Sequence, residues 1–490
     1  MMMRLPHEIL LIIAHSATDV AACDTRPGCT KASERASMLF QLRTTYPTKR
    51  ALCLVSRAAH DIFTPLMYEV VAIYDPERIA TTLTSLRLYG RWCRRLELDL
   101  VSDGSDWPYG ATNLWGTIHA CPSLEILNIH IIYTGGVLEP PPSQFNIPLS
   151  LLVQIADAYG TRLRRLEFGG DITIHNLAAR YLLSRCTALE VLVISGLFVQ
   201  PPWESGTRVD GHPAIDAALF LSDDHIQVAM PLLSAEEKAI AAEALLTARS
   251  VHGSTLADCS PSLPNLHTLD IGDFANLIKD WDLPRLAVLH VSFRSLNLYM
   301  LEDEGEDQIA VLNLRGQHLR AVTYSGTGAV YSPTGLLKLL PEAEYFAFKP
   351  YELDAGEGTD PPFQHALLRE VELCGQFASH TWPWLSLIAD DFEKGYLPSL
   401  QVCRVLHWKD HIDTEQEFLA ARTRFEALGL ILESGAGDLV STPHSLLSQP
   451  AFSWSQANMQ LRTVKGLARK WPDIVQNFGI YKDWHAQGRV

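Results

Sequence analysis

The sequence predicts an α/β solenoid of short parallel strands and returning helices, set behind a small helical region at the N-terminus. Three observations carry this. A run of the form Leu-x-x-Leu-x-apolar returns ten times beyond Arg91. The stretches between copies hold helical spacing, as in Ile155-Ala156-Asp157-Ala158-Tyr159 before Gly160 and in Ala178 to Leu183. The first 75 residues lack the run and hold short apolar helices instead.

The ten copies are Cys93/Leu96/Leu98, Leu124/Leu127/Ile129, Leu163/Leu166/Phe168, Leu189/Leu192/Ile194, Leu266/Leu269/Ile271, Leu286/Leu289/Val291, Leu319/Val322/Tyr324, Ala343/Phe346/Phe348, Leu368/Val371/Leu373 and Leu400/Cys403/Val405. Their last three positions alternate in, out, in, which suits a short strand. The first apolar residue sits a turn earlier and tucks inward. So short a strand cannot bury its own face, and neighbours must stack in parallel. Most copies lie about 20 to 39 residues apart, in the range of solenoid repeats. One Leu-x-x-Leu arises by chance in any α/β sheet; ten phased copies, several opened by Pro-Ser-Leu, Pro-Asn-Leu or Pro-Arg-Leu, argue for a repeat.

At the N-terminus, Leu5 to Ala14 reads as a short apolar helix with Pro6 in its first turn. Thr18 to Tyr46 is polar, turns at Pro27-Gly28, and reads as an inserted loop. Thr48 is placed to cap a second helix in which Leu52, Val55, Ala59, Ile62 and Phe63 share a face. Pro65 is expected to end or kink it. Tyr68 to Ile73, rich in β-branched and aromatic residues, reads as a strand leading out.

The interval from Ile194 to Leu266 is too long for one repeat. It holds the loop-like Pro201-Pro202-Trp203 and then a helix capped by Ser234, with Glu236 and Glu237 in its first turn. It is either an excursion or shelter for a degenerate copy near Ala218 to Leu221. Thr414 to Phe418 opens a helix towards Leu428 by the capping-box rule. Leu430-Ile431-Leu432 follows as a last strand, and together they suit a cap over the open end. From Ser441 onward six Lys/Arg stand against two acids. The organisation expected is a helical domain over 1–75 with an insert over about 16–47, a repeat domain over 76–440 with an excursion over about 198–262, and a basic tail over 441–490.

Composition narrows the function. The chain has 490 residues, 47% hydrophobic and 20% charged, ordinary for a globular protein with a large core. Its net charge of −16 argues against nucleic acid and anionic membrane as partners of the whole surface. No run of ~18 apolar residues is present, which argues against a transmembrane helix. Pro6, His7 and Glu8 interrupt the first apolar stretch, so it is not read as a signal peptide. Nine dispersed cysteines fit reduced thiols in cytoplasm or nucleus better than a disulfide framework.

No catalytic constellation emerges. Gly-x-x-x-x-Gly-Lys, Gly-x-Ser-x-Gly and His-Glu-x-x-His are all missing, so no enzyme activity and no cofactor is expected. Cys23, Cys29 and His15 lack knuckle spacing and an obvious fourth ligand, so no metal site is expected. The acidic runs Glu302 to Asp307 and Asp354 to Asp360 lack the ligand order of a calcium loop and read as solvated tips. Trp107, Trp382 and Trp384 sit in loop-like sequence beside prolines. They are either recognition anchors on a rim or loop packing.

Leu5-Pro6-x-Glu8-Ile9, then Leu52-x-Leu54-Val55-Ser56-Arg57, then Pro65-x-x-Tyr68 resemble the F-box. The whole chain is similar to fungal F-box proteins whose box precedes irregular leucine-rich repeats. The asparagine usual in regular repeats of that kind is mostly absent, and Asn128 is out of phase for it, so irregular repeats are expected. The resemblance implies a three-helix box docking on Skp1, and through it on cullin-1 and a RING subunit. The chain would then be a non-catalytic substrate receptor of an SCF-type ubiquitin ligase, its repeats holding a protein substrate. By carry-over, Leu5, Pro6, Ile9, Leu10, Leu52, Leu54, Val55 and Tyr68 become Skp1-facing or box-core positions. The sequence departs from the family at the insert and in lacking an Asp-Leu-Leu start to the second helix. The alternative is a free-standing repeat scaffold whose N-terminus is a helical cap, which needs the same apolar residues.

Overall fold

In a computed structural model of the chain, the residues described are 45–73, 79–102, 116–133, 145–146, 149–170, 172–194, 197–199, 261–271, 278, 281–292, 312–313, 315–325, 333–348, 362–374, 378–406 and 412–434. They form two compact units, one ending at Leu286 and one beginning at Ala287. The insert as far as residue 44, the excursion over residues 200–260, both acidic runs, Trp107, the Cys23/Cys29/His15 group and the basic tail lie outside the described residues, while Thr45 and Tyr46 at the end of the expected insert are helical. No described helix is long and apolar enough to cross a membrane.

Every one of the ten sequence copies forms a parallel strand. In the first unit these are β2 (Arg95–Ser102), β3 (Ile126–Tyr133), β5 (Arg165–Gly170), β7 (Val191–Ile194) and β9 (Thr268–Ile271). An extra strand, β1 (Val70–Ile73), pairs with β2. In the second unit they are β10 (Val288–Ser292), β11 (Ala321–Ser325), β12 (Tyr345–Phe348), β13 (Glu370–Cys374) and β14 (Val402–Leu406), with β15 (Ile431–Ser434) added beyond β14. Within each unit the strands stack in chain order. The short β4 (Phe145–Asn146), β6 (Ile172–His175) and β8 (Leu197–Val199) make a second parallel ladder in the first unit.

Register explains why the copies are phased. Leu96 aligns with Leu127, Leu166, Leu192 and Leu269. Leu289 aligns with Val322, Phe346, Val371, Cys403 and Leu432. These residues are buried, and so is the apolar residue three before each, from Cys93 to Leu400. That earlier residue is held by a tight turn. Its N–H donates to the carbonyl three residues back, as Cys93 to Gly90 (2.9 Å), Leu189 to Cys186 (3.1 Å) and Leu400 to Leu397 (3.1 Å). The position three back is therefore a second buried column: Cys121, Cys186, Leu263, Leu283, Leu340 and Leu397.

Glycine occupies that column where two backbones meet. A Cβ on Gly90 would stand 2.0 Å from the Ala120 carbonyl oxygen, and one on Gly316 would stand 2.1 Å from that of Leu339.

The helices depart from the expectations in four places. Residues 45–54 form α1, and α2 (Arg57–Glu69) follows after a break at Val55-Ser56, so the expected second helix is two, with Thr48 inside the first. Pro65 lies within α2, which runs on to Glu69; the strand therefore starts at Val70 and not at Tyr68. The C-terminal helix begins at Ile412, ahead of the proposed Thr414 cap. Trp382 and Trp384 lie in a helix, Ala378–Glu393, and not in a loop. Trp384 is buried edge-on to Phe348 at 4.9 Å, in a cluster with Phe346 and Phe363. Aromatic packing is what this residue supplies.

The remaining helices are α3 (Ile79–Tyr89), α4 (Leu149–Tyr159), α5 (Asn176–Arg185) and α6 (Pro333–Leu337), followed by α7 (Ala378–Glu393) and α8 (Ile412–Ala427).

Two tests follow from this packing. Gly90→Ala drives a methyl into a backbone oxygen and is expected to lower unfolding free energy by about 3 kcal/mol, by the cost of overpacking. Gly335→Ala, in α6 with nothing within 4 Å of its Cβ, is the control and is expected to stabilise slightly. Denaturant melts of both variants separate the two outcomes.

His365 fills the same column. Its Nε2–H donates to the Leu340 carbonyl at 2.7 Å and its Nδ1 accepts from the Leu367 N–H at 3.3 Å. Both bonds need the neutral ring, and burial lowers its pKa from the ordinary 6.5. The unfolded chain thus binds the proton more readily. This contribution is fully present above pH 6.5 and is lost as pH falls below it. Melts across pH 7.5 to 5 should show that acid-side slope reduced in His365→Gln.

Candidate functional site

Two features stand apart from the scaffold: the corner between α1 and α2, and the polar face of the strands. The corner is built by one serine. Ser56 is extended (φ −166°, ψ 168°) and its side chain accepts from the Ala59 N–H at 3.0 Å, capping α2. The cap stops α1 and turns the chain. Behind the turn, Cys53, Phe63 and Leu66 are buried together, with Leu52, Ala59, Ile62 and Met67 packed around them. Ahead of it, Leu54 and Val55 are 74% and 60% exposed. Side chains one residue apart thus divide between core and surface.

Thr64 supports α2 by donating its hydroxyl to the His60 carbonyl at 2.5 Å, one residue before the proline that lacks an N–H. The far end of α2 is anchored to the repeats. Tyr68 stacks on Tyr89 at 4.7 Å, Tyr89 on Trp92 at 5.9 Å, and Arg91 lies 4.3 Å over the Trp92 ring. Tyr46 of α1 donates its hydroxyl to the Val70 carbonyl at 3.0 Å, and burial pushes that hydroxyl up to about 12.

Of the eight positions carried over, Leu5, Pro6, Ile9 and Leu10 lie outside the described residues. Leu52 is half-buried in the helix core, Tyr68 is half-buried in the aromatic stack, and Leu54 and Val55 face outward together.

The polar strand face went unrecognised in the sequence. Residues alternating with the inward leucines carry Arg95, Glu97, Asn128, Arg165, Glu167, Glu370, Glu372 and Glu433, all buried. Parallel strands are commonly covered on both faces, and buried charge there requires partners. Arg95 meets Glu97 at 2.6 Å, Asn128 donates to the same carboxylate at 2.6 Å, and Arg165 meets Glu167 at 2.7 Å. At the more open end His130 bonds Asp99 at 3.0 Å.

In the second unit Arg404 reaches Glu433 at 2.8 Å, Glu372 at 3.2 Å and Glu370 at 3.7 Å. Burial alone would lower its pKa, but the charges of Glu372, Glu433 and Glu370 raise it overall. The signal available in sequence was the odd placement of charge at strand positions that a half-exposed sheet would leave in water.

Such pairs bind and orient; they offer no nucleophile–base pair. Among the described residues no group of three or more His, Cys, Asp or Glu is arranged to hold a metal ion. No protein-family model matches the chain, and no curated protein matches it either.

The contrast between buried and exposed pairs is testable. Arg404→Met strips Glu433 of its bonded cation and is expected to cost about 3–5 kcal/mol, as for other broken buried pairs. Arg320 is 60% exposed and pairs with Glu344, and Arg320→Met is expected to cost under ~1 kcal/mol. Equilibrium unfolding in urea measures both.

Proposed function

We propose that this chain is the substrate-receptor subunit of an SCF-type ubiquitin ligase, with the α1–α2 corner docking Skp1 and the repeats holding a protein substrate. The observation that carries the reading is the exposure of Leu54 and Val55, 74% and 60%, at a corner whose inner side buries Cys53, Phe63 and Leu66. Adjacent exposed aliphatics on a rigid corner are what a partner surface would cover. The resemblance of Leu52-x-Leu54-Val55-Ser56-Arg57 to the F-box supports reading that partner as Skp1. In this reading the chain performs no chemistry and takes no cofactor. Skp1 links it to cullin-1 and a RING subunit, and the repeat surface and loops select the target.

A second reading, a free-standing repeat scaffold with a helical cap, has its own supporting observation. Strand β1 continues the parallel pairing from β2, and Arg94 donates its N–H to the Glu69 carbonyl at 2.9 Å, so the segment does terminate a sheet. The two readings differ in what they ask of Leu54 and Val55. A cap gains nothing from them, whereas a docking corner depends on them.

Purified chain mixed with Skp1 separates the readings. The docking reading expects wild type to retain Skp1 and Leu54→Asp with Val55→Asp to lose it at least ~30-fold, the scale of a two-residue hot spot. The exposed positions leave the melting temperature of the double variant nearly unchanged. Absence of Skp1 capture by wild type removes the docking reading and leaves the scaffold.

A further inference from the structure

The corner carries charge as well as apolar surface. Arg50 lies four residues before Leu54 on α1, one turn away on the same side, and Arg57 opens α2 two residues after Val55. Both are exposed, and neither forms an ion pair among the described residues. Arg87 and Arg91 add two exposed cations where α3 leads into the first turn, Arg91 stacked on Trp92. Over residues 45–92 the sequence holds six Lys/Arg against four Asp/Glu, in a chain whose net charge is −16. Elsewhere among the described residues several exposed arginines pair with carboxylates, as Arg94 with Glu125 and Arg320 with Glu344, while Arg162 and Arg285 bond carbonyl oxygens.

The geometry points to a partner whose contact surface is acidic around an apolar recess, with Arg50 and Arg57 meeting carboxylates that rim the site for Leu54 and Val55. This rests on the docking reading above and adds the charge of the surface that docks. A positive corner on a strongly negative protein is a steering device. It orients the chain towards an acidic partner while the rest of the surface repels it. Nucleic acid is the competing polyanion. The aliphatic pair between the two arginines favours a protein, since a phosphate backbone offers nothing to cover Leu54 and Val55.

The experiment measures Skp1 affinity of the full chain at about 50 mM and about 500 mM salt, where screening lengths differ roughly threefold. Wild type is compared with Arg50→Glu/Arg57→Glu, with the charge-keeping Arg50→Lys/Arg57→Lys, and with Arg285→Glu as a remote control. Expected is a loss of ~10-fold or more for the Glu pair at low salt, near-wild-type binding for the Lys pair and the control, and a weaker wild-type complex at high salt. Skp1 binding that is indifferent to the Glu pair and to salt overturns the acidic-rim inference and leaves docking intact. Absence of Skp1 binding by wild type removes the docking reading and this inference with it. Tighter charge-dependent binding of a mixed-sequence RNA than of Skp1 overturns the inference in favour of nucleic acid.

Discussion

In most repeats one carbonyl holds neighbouring strands in place. The residue just before most of the strands lends its C=O to two N–H groups of the next repeat. Arg94 accepts from Glu125 at 2.8 Å and Ile126 at 3.0 Å, and Arg164 accepts from Glu190 at 2.7 Å and Val191 at 3.0 Å. Arg320 does the same for Glu344 and Tyr345, and Arg369 for Gln401 and Val402. A forked acceptor of this kind admits one stagger. With the stagger set, leucines at equal positions fall side by side, and the turn before each strand seats its own apolar residue beneath them. A slip by one residue would turn every leucine to the polar face and every buried charge into the apolar core.

The N-terminal segment obeys the same constraint, which resolves a conflict in its sequence. Its apolar residues serve either a cap or a docking surface, and taken as one helical face they cannot serve both. Ser56 divides them. The break it caps leaves Cys53, Phe63 and Leu66 inside and Leu54 and Val55 outside. At the other end of α2, Glu69 supplies the carbonyl that Arg94 uses, so the helix ends as the first rung and β1 as the first strand. Closing the sheet and presenting a corner are then done by different residues of one rigid piece.

Phase was what the sequence made legible. Ten Leu-x-x-Leu-x-apolar runs gave ten strands because the pattern states a physical need: a strand of four to eight residues with one face to bury beside its neighbours. Helix ends were less legible because they turn on local competition. Pro65 fits within α2, where Thr64 bonds back to His60, and propensity alone does not register that support. Val55 shares helical spacing with Ala59 and Ile62, so the break beside it has no periodic signature; only Ser56 as a capping residue hinted at it. Trp384 read as loop because Pro383 stands beside it, yet α7 runs through that proline and the ring lies against Phe348. The polar face was hidden by the assumption that residues alternating with leucine meet water.

That face and the rungs answer a problem that any such stack has to solve. Strands with the same leucine phase are near-equivalent partners, and hydrophobic contact does not discriminate among them. Charge does. Down the rung positions Glu69, Arg94, Glu125, Arg164 and Glu190 alternate in sign, and Arg94 and Arg164 each reach an acid on either side. Arg320, Glu344 and Arg369 repeat the pattern in the second unit. Exposed pairs of this kind contribute at most ~1 kcal/mol each, so their value lies in the wrong arrangement. A strand inserted out of order sets like charges in adjacent rungs, and a slipped one leaves Glu433 buried away from Arg404 and takes Asn128 from Glu97. Burial of an unpaired carboxylate costs several kcal/mol, far more than any one correct pair returns. The leucines make the stack stable; the charges make its order unique.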